Sequence, residues 1–220
     1  YIWRSSNESI ASVDSAGNVT GHAVGTAMIY VRSASGREVS CEVLVCQKNA
    51  EIPDGVYSMR LLRSDKALTV GKNLARERKR VLVGAYEGTL AQRFMFNNIG
   101  SRHTFTINPL VNRKYHLDVA RQNTALEAGN DVQVHKKKDR TAQYWRAVYV
   151  PDGSYIFYPK ADARLVLGAE PLEAGNSVRL EALTALETLD RWVLIRTGKS
   201  PAPTDSFQRP VIRDGQSFVS

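Results

Sequence analysis

The stretch LEAGNDVQV (126–134) returns as LEAGNSVRL (172–180), 46 positions later. A turn-forming pentapeptide followed by a short alternating apolar run punctuates a β-strand. Written twice at a fixed distance, it announces an internal repeat, which decides the fold before any single residue is considered. Working outward, an aromatic after a turn recurs as Tyr57 in DGVYSMRLL, Phe105 in RHTFTINPL and Tyr155 in DGSYIFYPK, 48 and 50 positions apart. A short apolar strand follows as ALTV (67–70), HLDV (116–119) and RLVL (164–167), and a second as VLV (81–83), VQV (132–134) and VRL (178–180). Each repeat closes on an aromatic, in Gln92-Arg93-Phe94, Gln143-Tyr144-Trp145 and Asp190-Arg191-Trp192. The third copy of the pentapeptide is then LARERKR (74–80), the same loop rewritten in basic residues.

Three repeats of about 50 residues, each with about four short strands, predict a closed threefold barrel with a hairpin cap. Closure removes the free edges that invite aggregation. With its Gln-x-aromatic ends, the arrangement resembles the ricin-type β-trefoil lectin domain over residues 52–198. The resemblance implies that Phe94, Trp145 and Trp192 fill the barrel core. It also implies a sugar pocket where a repeat keeps an Asp after its first-strand Leu, a Gln in its second strand with an aromatic two beyond, and an Asn-Gln pair before the closing aromatic. An ionised carboxylate suits this work because its two oxygens accept from adjacent hydroxyls. The second repeat supplies Asp118, Gln133 and Gln143, with His135 at the stacking position and Ala142 where Asn is expected. The first repeat has Thr69, Leu82 and Gly84 there, and the third Val166, Arg179 and Glu181, so carbohydrate binding falls to the second repeat. The plainer alternative makes Asp118 a surface carboxylate paired with Arg121 or Lys136, and His135 an exposed strand residue.

Residues 1–47 also predict half-buried strands, in runs such as TAMIYVRS and SCEVLVC with turns at 15–18 and 35–36. Trp3, Ser5, Ser6, Asn7, Ala11, Val13, Asp14, Gly17, Val19, Thr20, Gly25, Thr26 and Ala27 follow the pattern of the bacterial immunoglobulin-like domain, group 2, which this segment resembles. The family's first strands should precede Tyr1, so a partial Ig-like β-sandwich in a piece of a longer protein is expected. The organisation is thus all-β: 1–47 partial Ig-like, 48–52 linker, 53–198 β-trefoil, 199–220 a Pro-containing tail. The tail is expected to pack, over 205–220, against a partner subunit or the incomplete first domain. Cys41 and Cys46 stand at an odd strand spacing that opposes their side chains, which argues against a bond between them.

The formal net charge of +8 lies wholly between residues 49 and 200. Such a domain attracts polyanions. Two loops concentrate the charge, Arg76, Arg78, Lys79 and Arg80 in one, Lys136, Lys137, Lys138 and Arg140 in the other. Pairs of basic loops grip sulfates or phosphates, and a sulfated glycan is one candidate partner. Neither loop carries interleaved aromatics for base stacking, which argues against nucleic acid. The four histidines lack zinc-motif spacing, and no nucleophile elbow, phosphate loop or dinucleotide fingerprint is present, so neither catalysis nor a cofactor is expected. No apolar run reaches the ~18 residues of a membrane-spanning helix. The expected function is a non-catalytic carbohydrate-binding module on an extracellular or cell-surface protein, with a glycan as partner. The alternative is a structural or adhesion part of a phage particle or surface fibre, its trefoil degenerate.

Overall fold

The structure is a computed structural model describing residues 1–71, 79–120, 125–169, 177–183 and 190–197. Arg76, Arg78, the second LEAGN (172–176) and the tail at 199–220 lie outside the described residues. Among the described residues, strands and two short 3-10 turns make up the regular structure, and the chain is all-β. It forms two compact units, one of Tyr1–Lys48 with Val148–Gly153, the other of Asn49–Ala147 and the described residues from Ser154.

In the first unit, β1 (Ile2–Ser5), β4 (Gly25–Arg32) and β5 (Glu38–Val45) form one antiparallel sheet, and β2 (Ala11–Val13) pairs with β3 (Val19–Gly21) in another. Alternation along the strands puts Ala11, Ala27, Ile29, Val43 and Val45 into one core, with Trp3, Ile10, Val13 and Val19 packed against it. The motif residues are turn and packing devices. Asp14 accepts from the Asn18 side-chain amide at 2.8 Å and from the Asn18 and Ala16 backbone amides at 2.8 and 2.9 Å, and these bonds hold its carboxyl below the usual carboxylate range. Gly17 sits at φ +88° beneath the Trp3 ring, where a Cβ would approach Cζ2 to 2.7 Å. No disulfide joins exposed Cys41 to buried Cys46.

The second unit begins with β6 (Gly55–Leu61), β7 (Lys66–Val70), β8 (Lys79–Ala85) and β9 (Phe94–Ile99). It continues with β10 (Ser101–Pro109), β11 (Tyr115–Val119), β12 (Val132–Lys136) and β13 (Trp145–Tyr149). The last set is β14 (Tyr155–Pro159), β15 (Leu165–Gly168), β16 (Arg179–Ala182) and β17 (Trp192–Arg196). First and fourth strands of each set close a ring in the order β6-β17-β14-β13-β10-β9, and β9 returns to β6. This is the closed six-strand barrel the repeats require. In every repeat the opening aromatic lies opposite the closing one: Tyr57 opposite Phe94, Phe105 opposite Trp145, Tyr155 opposite Trp192.

The closing aromatics are fully buried, as are Phe96, Phe105 and Phe157. Phe96 meets Tyr57 edge-on at 5.2 Å and Phe157 at 6.0 Å, geometry worth about 0.5–1.5 kcal/mol per pair beyond burial. Trp145 donates its indole N–H to the Leu117 carbonyl and Trp192 to that of Leu167, each at 3.0 Å. Phe94, with no N–H, has no such bond to give.

Second and third strands form three hairpins, β7–β8, β11–β12 and β15–β16. Fully buried Val81, Val132 and Val178 bring them together: the Val178 amide donates to the Val81 carbonyl and the Val132 amide to Val178, both at 2.8 Å.

Candidate functional site

The second hairpin holds the sequence-selected residues. Side chains alternate along a strand and directly opposed residues share a face, so Leu117, Val119, Val132 and Val134 point one way into the core. His116, Asp118, Gln133 and His135 therefore stand together on the other face, Asp118 opposite Gln133 and His116 opposite His135.

That face is covered. The Asp118 side chain has no exposed surface, and Gln133 Nε2 donates to its Oδ2 at 2.9 Å. Arg140 supplies the rest: Nε donates to Oδ1 at 3.2 Å, and Nη2 to Oδ1 and Oδ2 at 2.9 and 2.6 Å. Asp118 is therefore neither an open sugar ligand nor a surface carboxylate; its cation is Arg140 rather than Lys136, and Arg121 lies outside the described residues. The chain reaches this pairing through Asp139, whose φ of 44° is a left-handed turn that Asp tolerates. Stranding one member of a buried pair costs about 3–5 kcal/mol. Binding at a millimolar dissociation constant releases about 4 kcal/mol. A neutral sugar that had to evict Arg140 would thus gain almost nothing.

Gln143 serves its own loop. Nε2 donates to the Lys136 carbonyl at 2.9 Å, and Oε1 accepts from the Lys138 amide at 2.8 Å. Gln92 does the same in the first repeat, donating to the Ala85 carbonyl at 2.6 Å and accepting from the Glu87 amide at 2.8 Å. Asp190 can only accept, and takes the Ala169 amide instead. His135 is 3% exposed, with Nδ1 3.1 Å from the Lys136 carbonyl, so it offers no open stacking face and is not the exposed residue of the plainer reading. His116 is also buried, and desolvation, reinforced by Lys137, holds its pKa below the ordinary imidazole value against Asp139 and Asp118.

In the first repeat, Thr69 opposite Leu82 matches the expected alignment. The third differs by two positions. Because Trp192 bonds to Leu167 as Trp145 bonds to Leu117, and Arg179 lies opposite Gly168, the residue equivalent to Asp118 is Gly168 rather than Val166. A Cβ on Gly168 would coincide with the Glu181 carboxylate, so this glycine makes room for an acid reaching across from β16. Sequence reasoning missed that exchange, although Leu167 follows Tyr155 by the same 12 positions that separate Leu117 from Phe105.

The basic residues divide. Arg80 and Arg179 both reach Asp131, at 2.8 and 3.2 Å, in a half-exposed network. Lys79, beside Arg80 in β8, is half-buried. Lys136 at the end of β12 and Lys137 and Lys138 in the loop that leads to Arg140 are exposed, with Lys137 3.2 Å from Asp139. Among the described residues no group of three His, Cys, Asp or Glu side chains is placed to hold a metal. No described helix is long and apolar enough to cross a membrane.

Residues 2–43 match the family model of the bacterial Ig-like domain (group 2). No curated protein matches the chain. Among solved structures, the designed threefold-symmetric protein ThreeFoil is 21% identical, with 66% of this chain and all of that one covered at a TM-score of 0.56. A ricin B-like lectin of Macrolepiota procera, solved with lactose, is 12% identical, with 67% of this chain and all of that one covered at 0.54. An endo-β-galactosidase of Clostridium perfringens that releases GlcNAcα1-4Gal is 15% identical, with 66% of this chain and 33% of that one covered at 0.52. These likenesses place the second unit in the β-trefoil fold shared by ricin B-like lectins.

Proposed function

We propose that the second unit is a non-catalytic glycan-binding module whose site is the second repeat, and that the first unit is an Ig-like spacer. One observation carries the reading: the second repeat keeps His116, Asp118, Gln133 and His135 on one face, with Gln133 bonded to Asp118, where the first has Thr69 and Leu82 and the third Gly168 and Arg179. The lactose complex of the Macrolepiota lectin supports sugar binding by this fold. The match to a bacterial Ig-like domain supports display on a secreted or surface protein.

The test is a glycan array at low and at physiological salt. It compares the native chain with the triple substitution Asp118→Thr, Gln133→Leu and Arg140→Thr, which writes Thr69, Leu82 and Thr89 of the first repeat into the second without leaving a buried charge. Binding that disappears in a folded triple variant supports the reading. Silence of the native chain overturns it in favour of a structural trefoil, which the internal pairing of Asp118 favours.

A further inference from the structure

We infer that the ligand of the second-repeat site is an anionic sugar, sulfated or carboxylated, and that Arg140 receives its charge while Asp118 positions Arg140. The inference rests on the glycan reading above and names the class of glycan.

A neutral sugar binds a carboxylate through vacant acceptor positions. Asp118 has none to offer: it is wholly buried and takes bonds from Gln133 Nε2 and from Arg140 Nε and Nη2. Arg140 is the member of the pair that meets solvent, with 30% of its side chain exposed. Its bonds to Asp118 leave the Nη1 protons for other acceptors. A planar guanidinium held by a buried carboxylate is already ordered, so little conformational freedom is lost when a second anion binds. The loop supplies the field. Asp118 cancels Arg140 inside, and the exposed Lys137 and Lys138 precede Arg140 in the same loop, with Asp139 3.2 Å from Lys137. Hydroxyls draw little from such a loop, whereas a sulfate or uronate is attracted by the lysines and can accept from the Arg140 fork.

Calorimetric titration of the full chain tests this with two matched pairs, galactose against galactose 6-sulfate and glucose against glucuronic acid, at low and at about 150 mM salt. The two pairs distinguish sulfate from carboxylate as the group read. At least one acidic form should bind about tenfold or more tightly than its neutral partner, with part of the gap surviving salt. The Arg140 Nε–H resonance should move on titration with that form. Arg140→Lys, which keeps the charge and loses the fork, should remove most of the preference. The double variant Asp118→Asn with Arg140→Gln, which buries no charge, should abolish it. Asp118→Asn alone keeps an acceptor for Arg140 but ends its neutralisation, and should strengthen acidic binding. Equal affinity for neutral and acidic forms, or loss of all sugar binding in Asp118→Asn, overturns the inference and leaves the glycan reading intact. Absence of binding to all four sugars by the folded native chain overturns both.

Discussion

Removing either member of the Asp118–Arg140 pair should have unequal consequences. In Arg140→Ala the carboxylate keeps only the Gln133 amide and, with no exposed surface, cannot turn to water. An uncompensated buried charge of this kind costs about 3–5 kcal/mol. At about 2–4 °C per kcal/mol for a domain of this size, the unfolding temperature should fall by about 10 °C. In Asp118→Asn the guanidinium keeps an acceptor beside it and part of its surface in solvent, so the loss should stay near 1–2 kcal/mol. The double variant Asp118→Asn with Arg140→Gln leaves no stranded charge and should lie well above the sum of its parts. Urea unfolding followed by tryptophan fluorescence reports on the trefoil, because Trp145 and Trp192 sit in its core without exposure. If Arg140→Ala costs less than about 1 kcal/mol, the pair is a loose surface contact and the argument for a closed second-repeat site fails.

Further outcomes follow from the same packing. Trp145→Phe and Trp192→Phe each strand a buried carbonyl, at Leu117 and Leu167, and should each lose about 1–3 kcal/mol, similar in size because the bonds are equivalent; urea midpoints differing widely between them would contradict that equivalence. Gly168→Ala should be mild, since it displaces only the end of the Glu181 side chain, whereas Gly17→Ala must push against the Trp3 ring at positive φ and should lower the first unit's melting temperature clearly. The folded state disfavours protonated His116, so its share of stability is complete above the ordinary imidazole pKa of about 6.5 and is lost as pH falls below it. A melting temperature measured from pH 7.5 to 5.5 should therefore decline more steeply in the native chain than in His116→Gln; parallel slopes would remove His116 from the account.

The repeat was legible because a barrel needs the same landmarks three times. Near-equal spacing of Tyr57, Phe105 and Tyr155 was enough to place the strands, and the closing aromatics, which the resemblance put in the core, lie there together with Phe96, Phe105 and Phe157. Asp118, Gln133 and His135 were picked out by the resemblance to the ricin-type domain; the strand register then shows that His116 shares their face.

What alternation cannot supply is the far end of a long side chain. Arg140, read as one of a run of basic residues, is 22 positions from Asp118, and only the left-handed turn at Asp139 and the Gln143 clamp on the loop carry its guanidinium onto the buried carboxylate. The third repeat shows the same limit: Glu181 fills the place over Gly168 from the neighbouring strand, an exchange visible only once the cross-strand register is known. Periodicity along the chain thus determined the barrel, and the family resemblance it supported pointed to the core aromatics and to the polar face of the second repeat. Tertiary structure decided which charges meet on that face, because a pairing there depends on register and reach across strands, which no one-dimensional spacing records.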